Sequence, residues 1–170
     1  MTRRPRVGRP GGPDREPRPP AADVSLRAVE EGDVGVFYGH QADPEGGRMA
    51  AFAARDPEAH FAHWERILRD PTVIVRTIVC SGEVVGNVVS WIAGDRRAVG
   101  YWIGRSHWGR GIATRALGRF LELVDERPLW AFVAKHNAGS IRVLEKCGFS
   151  RVEERVDDAG VAELVMRRAG

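Results

Sequence analysis

At 170 residues, 43% of them hydrophobic and 29% charged, the chain has the length and composition of one globular domain with its own core. No apolar run approaches the roughly 20 residues that a membrane-spanning helix needs, so the sequence predicts no membrane partner. The net charge of +3 is uneven: residues 1–22 hold six arginines against Asp14 and Glu16, which leaves the remainder slightly negative.

Those first residues also carry six of the ten prolines and no apolar periodicity. They predict a disordered basic tail over 1–22 and a folded domain over 23–170. Thr2-Arg3-Arg4 lacks the following apolar stretch of an export signal. A nucleic-acid partner for the tail is disfavoured, because no aromatic or folded element supports one. Cys80 and Cys147 stand outside any metal or paired-cysteine spacing, so both read as reduced thiols of a cytoplasmic protein, and no metal site is expected.

Val24 to Val29 alternates as a first strand. Residues 32–53 give no clear element, since glycines and Pro44 interrupt short apolar patches. Asp56-Pro57 then signals a helix start, and Phe61, Trp64 and Leu68 repeat at helical spacing up to Asp70-Pro71. Thr72 to Cys80 and Val84 to Trp91 are β-branched runs joined by Ser81-Gly82-Glu83, a hairpin, and Ala98 to Ile103 follows as a third strand. Next comes a helix whose apolar face is Ile112, Ala116, Leu117, Phe120, Leu121 and Val124. Pro128 ends that connection before a short apolar strand, Leu129 to Ala134. Asn137 suits the N-cap of a helix over Ala138 to Cys147, with Gly148 as its stop. Phe149 to Arg155 and Val161 to Met166 form a closing hairpin. The sum is an α+β (mixed α/β) domain, a central sheet with helices on its faces.

The most informative stretch runs from Tyr101 to Leu117. It joins a strand to a glycine-rich loop and then a helix, an arrangement that leaves bare backbone N–H groups to hold a diphosphate. Gly104 and Gly109 have the gap of a P-loop, but Arg110 and Gly111 follow where Lys and Ser or Thr belong. Gly109, Gly111 and Thr114 give GxGxxT, which lacks the third glycine of the dinucleotide fingerprint. The loop therefore fits some other diphosphate.

Two segments in order, WGRGIAT from Trp108 to Thr114 and VAKHNAGSIRVLEKCGF from Val133 to Phe149, resemble the GNAT acetyltransferase superfamily. The W-G-x-G-x-A-T variant resembles the branch of the Rim-type ribosomal-protein N-acetyltransferases. The resemblance covers about residues 24–168. It implies a twisted, mostly antiparallel sheet of six to seven strands flanked by about four helices, with two strands splayed apart to admit acetyl-CoA. It further implies that backbone groups of Trp102 and Ile103, near Gly104, pair with the pantetheine arm and aim an N–H at the thioester carbonyl. There a fixed donor stabilises the charge that develops as an amine attacks. The N–H groups of Gly109, Arg110, Gly111, Ile112, Ala113 and Thr114 would take the diphosphate, with Arg110 as counter-charge and Trp108 beside the loop. Many relatives carry a tyrosine seven residues after the motif asparagine as general acid; here that position is Leu144. Ser140 is the substitute the Rim-type branch suggests, although it also suits a cap or a pantetheine contact. Asn137 is expected to cap its helix and to bond pantetheine.

No general base stands out. His107 and His136 lie near the expected cofactor, His40 and His63 in the acceptor-side helices. The early acidic residues (Glu30, Glu31, Asp33, Asp43, Glu45) suit either a solvated face or attraction of a cationic substrate. Trp91 and Trp102 either wall the acceptor site or fill the core, and Trp64 belongs to the apolar face of its helix. The expected function is acetyl transfer from acetyl-CoA to a primary amine, a protein N-terminus or a small molecule, by a monomer or homodimer. A non-catalytic acyl-CoA sensor is the alternative.

Overall fold

A computed structural model describes residues 23–170; the expected tail over 1–22 lies outside the described residues. In chain order the elements are β1 (Val24–Arg27), α1 (Glu31–Gln41), α2 (Pro44–Ala50), α3 (Pro57–Arg69), β2 (Ile74–Cys80), β3 (Glu83–Ala93) and β4 (Arg96–Ile103). After a 3-10 turn at Arg105–His107 come α4 (Ile112–Leu121), β5 (Leu129–Ala134), α5 (Ala138–Lys146), β6 (Ser150–Val156) and β7 (Ala162–Arg168). One seven-stranded sheet has the order β1-β2-β3-β4-β5-β7-β6. Every neighbouring pair is antiparallel except β4 and β5.

Five α-helices are described where the sequence suggests about four, because residues 32–53 hold two. α1 is rich in glycine and intrinsically weak, so its tertiary contacts hold it. Phe37 is fully buried, its ring 4.7 Å from that of Trp64 on α3, among Val34 and Val75. At its start the buried Asp33 accepts from the Glu30 N–H, from Arg27 through two bonds of 2.5 and 2.8 Å, and from the Thr77 hydroxyl at 2.6 Å. Burial acts to raise the Asp33 pKa, but the Arg27 bonds, then the Glu30 N–H and the Thr77 hydroxyl, outweigh it and hold the carboxyl at about 2. α2 starts as α3 does: Asp43 accepts from the N–H groups of Glu45 and Gly46, with Pro44 in the first turn.

Smaller differences have local causes. β1 stops at Arg27, where that side chain turns to Asp33, so Val29 lies outside the strand. α4 ends at Leu121, yet Val124 is still buried with the helix's apolar face. That face, α5 and the sheet they pack on make the main core, with Leu117, Phe120, Leu129 and Met166 fully buried. Both cysteines are free, Cys80 buried and Cys147 partly so. Among the described residues no helix is long and apolar enough to cross a membrane.

Candidate active site

The site begins where two strands part. β4 and β5 pair only at Arg97–Leu129 and Ala98–Trp130. Beyond that point β4 stays with β3 as far as Ile103, and β5 stays with β7 as far as Ala134. Gly86 on β3 permits the first of these: a Cβ there would lie 1.9 Å from the Trp102 carbonyl oxygen, so only glycine lets β4 lie so close to β3. The Gly104 N–H donates to the Val85 carbonyl at 2.9 Å. By strand alternation the main-chain groups of Trp102 then face β3, and those of Tyr101 and Ile103 face the gap toward β5.

The gap opens into a cleft of about 360 Å³. Tyr101, Trp102 and Ile103 line it from β4, and Trp108, Gly109 and Gly111 from the loop. The first turn of α4 adds Ile112, Ala113 and Thr114, and the start of α5 adds Asn137 and Ser140. Ten of the residues expected to touch the cofactor are thus brought together, Trp102 by its side chain rather than its backbone. Gly104 and Arg110 are not: Gly104 is buried against β3, and the Arg110 guanidinium sits 3.3 Å from His107 Nδ1.

Loop geometry follows from its glycines. Gly111 is the N-cap of α4 at φ 72°, and no side chain caps the helix. The first helical bond runs from the Arg115 N–H to the Gly111 carbonyl at 3.2 Å. The N–H groups of Gly111 to Thr114 therefore have no partner within the helix and stand at its positive end, as an anion requires. The Trp108 indole N–H donates to the Ile103 carbonyl at 2.8 Å and pins the loop to the end of β4. Arg142 and Lys146 on α5 also line the cleft and supply positive charge that the sequence reading passed over.

On the other side, α2 contributes Gly46, Met49 and Ala50. The Trp102 indole N–H donates to the His40 carbonyl at 3.2 Å, and its ring lies 5.7 Å from that of Phe52. Of the four candidate histidines only His107 lines the cleft. It is buried, with Nε2 3.7 Å from a Glu83 carboxylate oxygen and its ring 6.4 Å from that of His40. Burial, followed by the neighbouring His107, lowers the pKa of His40, against a small opposing pull from Glu83. His63 is on α3, outside the cleft lining, brought to about 4 by burial and then by Arg55, Arg66 and His60. His136 holds the Arg48 carbonyl at 2.8 Å. Among the acidic residues, Asp43 caps α2 and Glu45 pairs with Arg48; none of the five lines the cleft. Trp91 packs over Gly100 instead of lining the cleft.

At the start of α5 the Asn137 side chain caps the helix by accepting from the Ser140 N–H at 3.1 Å. Leu144 is buried in the core and offers no hydroxyl. Sequence reasoning missed Tyr101, whose hydroxyl donates to Ser140 Oγ at 2.9 Å. Burial pushes the Tyr101 phenol up to about 12, opposed by the Ser140 bond and helped by the nearby Cys147. Its signal was present, a tyrosine on the strand that enters the loop, but nothing local says that it reaches a helix 39 positions on. Among the described residues no group of three or more His, Cys, Asp or Glu is placed to hold a metal ion.

A family model described as an acetyltransferase (GNAT) domain matches residues 23–150. No curated protein matches the sequence. Among solved structures the chain is similar to spermidine N-acetyltransferase from Vibrio cholerae in complex with CoA and spermine. The identity is 16% and the TM-score 0.74, over 86% of this chain and 95% of that one. It is also similar to the aminoglycoside acetyltransferase AAC(6')-Ib in complex with coenzyme A, at 19% identity and a TM-score of 0.72, over 86% of this chain and 95% of that one. At these identities the likeness is one of fold.

Proposed function

The chain belongs to the GNAT acetyltransferase family, and on that premise we propose that it transfers the acetyl group of acetyl-CoA to a primary amine bound on the α2 side of the cleft. The observation that carries this reading is the continuity of one cleft, from the unpartnered N–H groups of Gly111 to Thr114 to the point where β4 and β5 part. A diphosphate at the first end, with Arg142 and Lys146 beside it, leaves the thioester arm to run along the open edge of β4. Main-chain groups of Tyr101 and Ile103 on that edge can pair with the arm's amides. They also supply a fixed donor for the thioester oxygen, on which negative charge grows as the amine attacks.

Among the described residues no carboxylate lines the cleft. Carboxylates offset the charge of a row of ammonium groups best, so without them the acceptor on this reading has a single amine and little further positive charge. A protein N-terminus, which the Rim-like loop favours, and a small monoamine both satisfy this. Polyamines and aminoglycosides, the classes named for the structural neighbours, do not. The test is thiol release from acetyl-CoA with N-terminal peptides, monoamines, spermidine and an aminoglycoside run side by side. Turnover with the first two groups and little with the last two is expected; a preference for polycations overturns the acceptor assignment.

A non-catalytic acyl-CoA sensor is the second reading, favoured by the buried Leu144 at the position of the expected acid. It predicts stabilisation by acetyl-CoA with no thiol release across the whole panel.

A further inference from the structure

We propose that the acceptor is an acidic protein N-terminus, and that Arg96 and Arg167, both set against the Trp130 ring, bind a carboxylate a few residues along it. The inference rests on the acetyl-transfer reading of the cleft. It chooses between the two acceptors that reading leaves open, a protein N-terminus and a small monoamine.

The patch belongs to the face of the sheet opposite α4 and α5. Along β4, alternation puts Arg96, Ala98, Gly100 and Trp102 on this face, and Trp102 carries it into the cleft. On β5 the matching positions are Trp130 and Phe132, with Trp130 opposite Ala98 where the two strands last pair. The Arg96 guanidinium lies 4.1 Å from the centre of the Trp130 ring, and the Arg167 guanidinium 5.8 Å from it. Trp91 packs over Gly100, between the patch and the cleft. The partly exposed rings of Trp130, Trp91, Phe132 and Trp102 thus make an aromatic floor that leads from the two arginines to the cleft. α1 and α3 cover the same face farther across, at Val75 and Val89.

Charge makes the floor selective. On this face Arg27 pairs with Asp33 and Arg155 with Glu163. Arg96 and Arg167 form no ion pair among the described residues; Asp95 beside Arg96 and Glu153 opposite Val165 pair with neither. A guanidinium against an indole keeps its in-plane N–H groups for an anion, and the ring limits the freedom that binding would otherwise cost. Two such cations at one ring attract a carboxylate and repel a polyamine, in keeping with a cleft lined, among the described residues, by no acid. Spacing selects the residue that is read. Ala98 stands three residues before Tyr101 and five before Ile103, the pair whose main chain faces the gap. At roughly 3.3 Å per residue the separation is about 10–17 Å. An extended peptide with its amine at the thioester therefore lays about its fourth to sixth residue over Trp130. A small monoamine is too short to reach it.

The experiment uses the full chain, acetyl-CoA and N-terminal peptides that differ only at positions four to six, where they carry glutamate, glutamine or lysine. Thiol release gives kcat and KM for each. Wild type should favour the glutamate peptide over the glutamine peptide about tenfold in kcat/KM, through KM with kcat alike. Arg96→Gln and Arg167→Gln should each cut that ratio to about three, and the double variant should bring it to about one. Arg96→Glu combined with Arg167→Glu should turn the preference toward the lysine peptide. Each ratio compares two substrates on one sample, so partial unfolding of a variant does not imitate the result. Equal kcat/KM for the peptides in wild type overturns the patch. So does a glutamate preference that survives the double variant, or turnover confined to small monoamines. If no amine is acetylated, the acetyl-transfer reading fails. Fluorescence anisotropy of the same peptides on the CoA-bound chain then decides the patch separately: an arginine-dependent gain for glutamate upholds it, and equal binding overturns it.

Discussion

Replacing Asp33 by Asn tests how α1 is held against the sheet beside the cleft. The carboxylate joins β1 through Arg27, β2 through Thr77 and the start of α1 through the Glu30 N–H, and α1 leads to His40 beside Trp102. Its folded pKa of about 2 lies well below its ordinary 3.8. At 1.36 kcal/mol per pH unit the difference is worth about 2 kcal/mol. The sign follows from the depressed value: the folded state favours the ionised form. The contribution is therefore complete well above the ordinary carboxylate range and is lost as pH falls through that range toward 2. Asn keeps the shape but faces a donor toward Arg27 or Thr77, so at neutral pH it should cost about 2–3 kcal/mol. Urea unfolding followed by tryptophan fluorescence, with Trp64 stacked near Phe37, measures both proteins. Between neutrality and about pH 3 the gap between them should shrink by roughly half. A gap that stays constant with pH, or one below about 0.5 kcal/mol at neutrality, refutes the assignment of that stability to an ionised, bonded Asp33.

Two glycines provide further checks. Gly86→Ala places a methyl 1.9 Å from the Trp102 carbonyl oxygen. β4 must then shift by about 1 Å or more, at a cost of about 1–3 kcal/mol, and the melting temperature and CoA affinity should fall together. Wild-type values for both would refute the close approach. Gly111→Val forces a branched residue into the left-handed conformation at φ 72°, with only the Arg115 guanidinium within 4 Å, at 3.9 Å. The backbone strain alone is about 1–2 kcal/mol. On the proposed placement the side chain occupies diphosphate space, so acetyl-CoA affinity measured by calorimetry should drop at least about tenfold; unaltered affinity would count against the placement.

The fold was largely legible because its signals are local. β-branched runs gave the central strands, and Asp56-Pro57 and Asn137 marked helix starts that the structure keeps. The same Asp-Pro signal stands at Asp43-Pro44, but the glycines around it leave residues 32–53 without a clear element in the sequence. α1 was illegible for a physical reason. Its glycines give it little intrinsic helicity, and what secures it, Phe37 against Trp64 and Asp33 against Arg27 and Thr77, comes from distant parts of the chain.

By itself the sequence determined the glycine loop, the helix behind it and the order of strands around it, since backbone conformation and capping depend on adjacent residues. Only the tertiary structure decided which side chains share the cleft. It turned Trp102's backbone toward β3, moved Arg110 to His107 and kept the acidic residues of the early helices outside the lining. It also placed the Tyr101 hydroxyl on Ser140, because strand twist and helix packing set side-chain directions across a gap that no local pattern encodes.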